Sequence, residues 1–224
     1  MKLMNMDTSS SDDTKLRLLE AAGKVISEKG FHQATTREIC KLARANNAAV
    51  NYHFGDKLGL YNSLLRSVLA EGLSRYPLDM DTTPEACAAE RLRAVVRSFF
   101  LRLLSDGRPG WFSTLMTREL LEPTPALDQL VREAIMPMWR HLLGLVAELL
   151  GPAASEETVA CCASSVIGQC HHYITSRSVI HLLRPELTLN DESIEDLAEH
   201  VTRFSLAALA YCREHPETQS PDKS

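Results

Sequence analysis

The sequence predicts an all-α protein: an N-terminal three-helix helix-turn-helix domain followed by a larger helical bundle, with about nine helices altogether. Apolar residues recur at helical spacing along most of the 224 residues, and no segment shows the alternation of a β-strand. Two short helices joined by a tight turn lie between Thr35 and Phe54, and Pro77 interrupts the helical pattern after Arg75.

The first helix is expected to begin near residue 11 and to end at Gly30, a residue suited to a helix C-terminus. Its apolar stripe consists of Leu16, Leu19, Gly23 and Ile26. Residues 1–10 are polar and unpatterned, and we expect them to form a disordered arm.

The second and third helices form the helix-turn-helix pattern. Thr35 precedes Glu38 by three residues, the spacing of a capping box that starts a helix at Thr36. Asn46 is a suitable N-cap for a second short helix, in which Val50 is the only large aliphatic residue. The rest of that helix is polar or small, which suits contact with base edges and phosphates.

The amino-acid sequence of this helix-turn-helix segment resembles the DNA-binding domain of the TetR family of transcriptional regulators. The resemblance covers about residues 14 to 70, and the segment Tyr52-His53-Phe54-Gly55-Asp56-Lys57 carries much of it. The run from Asn46 to Lys57 is most similar to the CecR-type branch of that family. The resemblance implies a DNA-binding regulator that forms homodimers and responds to a small molecule.

Arg44 departs from the family pattern, because it stands where the family usually has a turn glycine. Either Arg44 accepts a strained backbone or the turn differs locally. We expect its charge to lie near the DNA. The predicted DNA-binding residues are Thr36, Arg37, Arg44, Asn46, Asn47, Ala48, Asn51, Tyr52, His53 and Lys57.

A fourth helix is expected from Lys57 to about Arg75, where Pro77 and the following polar residues mark a domain boundary. The expected organisation is an arm over 1–10, a DNA-binding domain over 11–75, a ligand-binding and dimerisation domain over 76–214, and a flexible tail over 215–224.

The second domain is predicted to be helical throughout. A fifth helix contains the stripe Leu92 to Leu103, a sixth begins at Trp111, a seventh covers about 126–150, an eighth about 156–182 and a ninth about 191–213. Pro137 lies inside the seventh helix and is expected to kink it.

The last two predicted helices are apolar on more than one face, which indicates burial on more than one side. A four-helix dimer interface built from two copies of this pair is one interpretation, and burial within a single large bundle is the other. The predicted interface residues are Val159, Ala163, Val166, Ile167, Cys170, Ile174, Leu197, Val201 and Ala208.

An effector site is predicted among the helices that follow the boundary. Arg118 and Glu119 interrupt an apolar turn of the sixth helix, and a similar Arg-Glu pair before a Pro-Thr turn is part of the resemblance. Large and pliable side chains nearby favour an aromatic or amphipathic ligand, although such residues also serve as ordinary core. The predicted residues are Trp111, Met116, Arg118, Glu119, Met138, Trp139, Gln169, His172, Tyr173 and Arg177.

Charge divides unevenly along the chain. Residues 1–75 have 11 Lys and Arg against 8 Asp and Glu, a net charge of +3, whereas residues 76–224 have 13 against 21, a net charge of −8. The overall charge of −5 therefore leaves room for a basic DNA-binding face. No membrane-spanning run or signal-peptide pattern is evident, and we expect a cytoplasmic protein without membrane partners.

Other functions are less well supported by the sequence. No nucleophile elbow, phosphate-binding loop or zinc-protease motif occurs, so we expect neither an enzyme nor a bound cofactor. The six cysteines include no C-x-x-C pair, and we expect no metal site. The alternatives kept open are a metal- or thiol-responsive regulator using Cys161, Cys162 and Cys170, and a helix-turn-helix interaction protein that does not bind DNA.

Overall fold

The computed structural model describes residues 7–83, 85–104, 111–187 and 191–216. These residues are mostly α-helical and contain no strand, which confirms the predicted all-α fold. The helices are α1 (Asp7–Lys29), α2 (Thr36–Ala43), α3 (Asn47–Phe54), α4 (Lys57–Arg75), α5 (Ala88–Leu104), α6 (Trp111–Leu121), α7 (Ala126–Leu130), α8 (Met136–Leu150), α9 (Glu156–Thr175), α10 (Arg177–Leu183) and α11 (Asp191–Glu214). A π-helical turn, Val131–Ile135, joins α7 to α8.

The start of α2 and the start of α3 agree with the caps expected from the sequence. Thr35 has extended backbone angles, its hydroxyl accepts from the Glu38 N–H at 3.2 Å, and the Glu38 carboxylate accepts from the Thr35 N–H at 3.1 Å. Asn46 caps α3 through Oδ1, which accepts from the Ala49 N–H at 2.9 Å. The predicted capping box and the predicted N-cap are both confirmed.

Two predicted helices are divided in the structure. The helix expected over 126–150 contains the π-helical turn directly before Met136 and Pro137, the position at which a kink was expected. The helix expected over 156–182 ends at Thr175, whose hydroxyl donates to the His171 carbonyl at 2.9 Å, and α10 starts after Ser176. Such side-chain bonds to the preceding turn compete with regular helix geometry.

The ends of the chain differ in part from the expected arm and tail. Helix α1 already begins at Asp7, inside the segment expected to be a disordered arm. Residues 1–6 and 217–224 lie outside the described residues.

The chain forms two compact units. The first unit comprises Met1–Glu71 and Arg108–Ile135, and the second comprises Gly72–Gly107 and Met136–Ser224. The first unit therefore contains α6 and α7 as well as the helix-turn-helix, a grouping that the sequence-based boundary at residue 76 did not anticipate.

In the first unit, α1 packs against α2, α3 and α6. The indole of Trp111 lies directly on Gly23, where a Cβ atom would come within 2.7 Å of the ring. A glycine in the middle of α1 thus permits the close approach of α6. Fully buried side chains of this unit include Leu18, Ile26, Ile39, Val50, Leu60, Leu64 and Leu115.

In the second unit, α5, α8, α9 and α11 surround one apolar core. Leu92, Val96 and Phe100 of α5 meet Leu142 and Val146 of α8 in this core. Arg93 and Arg97 of α5 form ion pairs with Glu199 and Glu195 of α11.

Candidate nucleic-acid interface

Helix α3 presents a polar outer face on a single buried anchor. Val50 is fully buried, whereas Asn47, Ala48, Asn51 and Tyr52 are exposed, with Tyr52 81% exposed. The predicted contact residues at these four positions are therefore accessible. Exposed amides on a short, anchored helix can donate to and accept from the edge of a base pair at the same time.

Two of the predicted contact residues at the ends of α3 have other tasks as well. Asn46 is exposed, but its Oδ1 is occupied by the cap, which leaves its amide N–H groups for a ligand. His53 is half-buried, with its ring 4.9 Å from that of Tyr52 and 5.9 Å from that of Phe54. The two rings of His53 and Tyr52 pack edge to face.

Arg44 adopts the left-handed conformation that its position in the turn demands. Its φ and ψ are 52° and 43°, and its N–H bonds to the carbonyls of the last turn of α2. Of the two possibilities raised by the sequence, the structure has the strained arginine. The side chain is exposed and forms no ion pair with any residue of the described ranges.

Thr36 and Arg37, two further predicted DNA-binding residues, lie in the first turn of α2. Thr36 is half-buried and Arg37 is exposed. Glu38, the residue after Arg37, accepts hydrogen bonds from Lys29 Nζ and from the Thr35 hydroxyl. The hydrogen bond from Lys29, followed by those from Thr35, lowers the pKa of Glu38 to about 2. This carboxylate therefore remains charged at neutral pH, and it caps the N-terminal end of α2 by accepting a hydrogen bond from the Thr35 N–H.

Lys57, one of the predicted DNA-binding residues, is half-buried and bonds to the main chain. Its Nζ donates to the Phe31 carbonyl at 2.8 Å and to the Ala34 carbonyl at 2.9 Å, and lies 4.4 Å from the centre of the Phe31 ring. Two of its three N–H groups are thus used to hold the turn between α1 and α2. Only one remains for a phosphate.

Arg17 is a supporting residue that the sequence analysis missed. Its Nη1 donates to the Ala43 carbonyl at 3.1 Å, at the C-terminal end of α2, where a cation is favourable. Arg17 and Ala43 are 26 residues apart, and no local pattern in the sequence links them.

The residues predicted to form the effector site fall into two groups. Four of them, Trp111, Met116, Arg118 and Glu119, lie in the first unit. The Trp111 ring packs on Gly23, and the Arg118 side chain lies beside Gly30. Met116 and Glu119 are buried, and Glu119 accepts a hydrogen bond from the Tyr61 hydroxyl. A cleft of about 160 Å³ lies next to Arg118 and Glu119. It is lined by Lys29, Phe31, His32, Tyr61, Arg118 and Glu122, among others.

The other six lie in the second unit. Met138 Sδ accepts from Arg102 at 3.3 Å, the Tyr173 ring is 5.9 Å from that of Phe100, and Gln169 donates to Ser205 at 3.1 Å. Trp139 is half-buried beside the core, while His172 and Arg177 are exposed. Arg102, only 7% exposed, was missed by the sequence analysis, since it lies among apolar residues that the helical pattern assigned to the core.

Most of the residues predicted for the dimer interface are buried in the core of their own chain. These are Val159, Ala163, Val166, Cys170, Ile174, Leu197 and Val201, while Ile167 is half-buried and Ala208 is exposed. The exposed surface of the same two helices includes Phe204 and Tyr211 on α11, 60% and 64% exposed. On α9 it has the small residues Cys161, Ser164 and Gly168.

The cysteines do not form a cluster in the described ranges, where no group of three potential metal ligands occurs. Burial raises the pKa of the Cys170 thiol to about 12, and burial also raises that of Cys40. Both thiols are therefore protonated at neutral pH and unreactive. Cys161 is exposed and Cys162 half-buried.

None of the helices within the described ranges is both long enough and apolar enough to cross a membrane.

Comparison with known proteins identifies the family. The fold of the first unit, with the polar face of α3, defines a helix-turn-helix protein. A model of the tetR family of bacterial regulatory proteins matches residues 18–64, and a model of the C-terminal domain of the HTH-type transcriptional dual regulator CecR matches residues 88–209. The chain belongs to the TetR family of transcriptional regulators and has a CecR-type C-terminal domain, as the sequence motifs indicated.

Individual relatives agree with this assignment. The HTH-type transcriptional dual regulator CecR of Shigella flexneri is 30% identical over 204 residues, which are 85% of this chain and 88% of the relative. The fatty acid metabolism regulator protein of Bacillus subtilis (strain 168) is 26% identical over 133 residues, 59% of this chain and 66% of the relative. The crystal structure of the transcriptional regulator FadR from Bacillus subtilis in complex with stearoyl-CoA has a TM-score of 0.66 at 19% identity, covering 86% of this chain and 97% of that one.

Proposed function

We propose that this transcriptional regulator is a homodimeric repressor that binds a near-palindromic DNA operator and releases it in response to a small molecule. The observation that carries the proposal is the exposed amide face of α3 on its buried Val50 anchor. In a dimer, two such helices enter successive major grooves on one side of the duplex. Asn47 and Asn51, with Arg37, would read base edges, while Tyr52, Thr36, Arg44 and the remaining N–H of Lys57 would contact phosphates.

The exposed face of α9 and α11 is the proposed dimer surface. Phe204 and Tyr211 supply aromatic contact area, and the small residues of α9 let a partner helix approach closely. Helices α9 and α11 pack on each other within the chain, so two copies would form a four-helix interface. This placement keeps the predicted pair of helices and assigns the contact to their exposed residues.

An amphipathic effector is supported by the nature of the second unit and by a relative. The core of that unit contains a buried cation, Arg102, beside Met138 and the ring of Phe99. A lining that combines apolar side chains with a cationic one suits a ligand that has an apolar body and an anionic group. The Bacillus subtilis FadR structure contains stearoyl-CoA, which is such a molecule.

The test begins with footprinting of the purified protein on DNA upstream of its own gene and of neighbouring genes. The proposal expects two protected half-sites whose centres lie about one helical turn, roughly 10 base pairs, apart. Binding should weaken steeply with salt, because phosphate contacts release counterions. Protection of one half-site by a monomer would contradict the dimer, and absence of any protected site would favour an interaction protein.

The dimer surface is tested with Phe204→Lys, using Arg203→Lys as a control that changes a neighbouring exposed residue without adding charge. Sedimentation should show a dimer for the control and a monomer for Phe204→Lys. If the Phe204→Lys variant were still a dimer in sedimentation, the dimer contact would have to lie elsewhere on the chain.

A further inference from the structure

The carboxylate of Glu119 is buried and fully hydrogen-bonded. The residue is only 1% exposed, and its oxygens accept from the Tyr61 hydroxyl at 2.7 Å, from the Thr124 N–H at 3.0 Å and from the Thr124 hydroxyl at 3.0 Å. A buried carboxylate without such donors would be costly. Burial, together with the bond to Glu119, raises the pKa of Tyr61, so its hydroxyl remains a donor at all ordinary pH values. Helix α6 is thus joined to α4 by a charge-assisted bond.

Tyr61 in turn holds the turn between α1 and α2. Its ring lies 4.9 Å from that of Phe31. Lys57, one helical turn earlier on the same face of α4, donates to the carbonyls of Phe31 and Ala34. Lys57 and Tyr61 therefore both contact the segment 31–34 from α4. The hydrogen bond to Glu119 holds Tyr61 in place.

Arg118 covers the other end of the same turn. Gly30, with φ of 81°, ends α1, and a Cβ atom placed on it would lie 2.8 Å from Arg118 Nη1. A cation is favourable at this helix C-terminus. Adjacent residues of α6 thus act on the two sides of residues 30–34, and the next residue, Thr35, caps α2.

We propose that Glu119 is a positioning residue for DNA binding. Through Tyr61 and Phe31 it sets the turn that leads into α2, and so the orientation of the Thr36 and Arg37 side chains in the first turn of that helix. The inference rests on the proposed function, because it assigns α6 a part in presenting the DNA-contacting residues. It also gives the Arg-Glu and Pro-Thr residues of α6 and the following turn a defined task.

The test uses the full-length chain with Tyr61→Phe, which removes one hydroxyl and keeps the ring on Phe31. At a temperature where circular dichroism shows a fully folded protein, operator affinity should fall about threefold to tenfold, part of the effect of losing one hydrogen bond to a charged group. The salt slope should stay unchanged, since no phosphate contact is removed. Glu119→Ala should produce a similar loss, and the double variant should lose little more than either single one.

Two further variants separate positioning from simple stability. Glu119→Gln retains an acceptor for Thr124 and can donate to the Tyr61 oxygen, so it should keep near-normal affinity. Ser98→Ala removes a part-buried hydrogen bond in the second unit, from Ser98 Oγ to the Tyr76 carbonyl at 2.7 Å. It should lower the melting temperature and leave DNA affinity intact. Normal operator affinity in both Tyr61→Phe and Glu119→Ala would overturn the proposal.

Hydrogen exchange of the DNA-free protein tests the positioning even if the proposed function fails. Tyr61→Phe should speed exchange of the Ala34 N–H, which bonds to the Gly30 carbonyl, and of the Glu38 N–H in the cap. Amides in the middle of α1 should be unaffected. Unchanged exchange at both sites would refute the role of Glu119, whereas faster exchange in a protein that binds no operator would refute only the proposed function.

Discussion

Replacing Arg44 by glycine should stabilise the first unit. An L-residue in the left-handed region costs about 1–2 kcal/mol, whereas glycine pays about 0.5–1 kcal/mol in additional backbone entropy. Because Arg44 is exposed, few contacts are lost with its side chain. The difference predicts a gain of about 0.5–1 kcal/mol in the free energy of unfolding for Arg44→Gly.

Arg44→Ala is the matched control for this prediction. It removes the same charge and the same exposed side chain but keeps a Cβ atom at φ of 52°. Its stability should remain within about 0.5 kcal/mol of the parent chain, as for most exposed substitutions.

The assay exploits the distribution of the two tryptophans, since Trp111 lies in the first unit and Trp139 in the second. In a Trp139→Phe background, urea unfolding followed by fluorescence reports on the first unit alone. If Arg44→Gly and Arg44→Ala have the same free energy of unfolding, the turn stores no strain at residue 44 and the reasoning fails. Both variants should lower the salt slope of DNA binding equally, since both remove the same charge.

Three other outcomes are expected. Asn51→Ala should weaken operator binding by about 1–3 kcal/mol and binding to random DNA very little, and equal losses on both would assign Asn51 to positioning. Because the pKa of Glu38 is lowered from 4.5 to about 2, its ionised form stabilises the fold above pH 4.5, and this contribution is lost as the pH falls towards 2. Urea unfolding of Glu38→Gln should therefore differ from the parent by a constant amount above pH 4.5 and by less at lower pH, and a constant difference throughout would contradict the shift. Gly23→Ala should lower the melting temperature because its Cβ would meet the Trp111 ring at 2.7 Å, while Gly144→Ala, with open space around it, should raise it; a stabilised Gly23→Ala would show that the ring can move.

The helix-turn-helix could be predicted closely from local sequence, for a physical reason. Caps act between residues three positions apart, so Thr35 with Glu38 and Asn46 with Ala49 are visible in the sequence. The same is true of Val50, whose isolation among polar and small residues indicates a single buried contact. These signals also carry the family resemblance, and the family comparison confirms it.

Long-range contacts could not be predicted in this way. The bond between Tyr61 and Glu119 joins residues 58 positions apart, and neither residue type requires the other. Lys57 has the charge expected of a phosphate-binding residue, yet its Nζ donates to two carbonyl groups that lie 23 and 26 residues earlier in the chain. In α9 the residues of the strongest apolar stripe were expected at a dimer contact, but periodicity alone cannot tell a chain's own core from a partner.

The membership of α6 and α7 in the first unit has a consequence for recombination between relatives. A chimera made by exchanging residues 1–75 would keep one parent's Trp111 and Glu119 against the other parent's residues 23 and 61. Any side chain larger than hydrogen at position 23 would collide with that indole, and any residue at 61 without a donor would leave the carboxylate short of a partner. A segment that is to be grafted intact therefore has two pieces, residues 1–71 and 108–135. In an alignment of the family, positions 23 and 111, and positions 61 and 119, should accordingly vary in pairs.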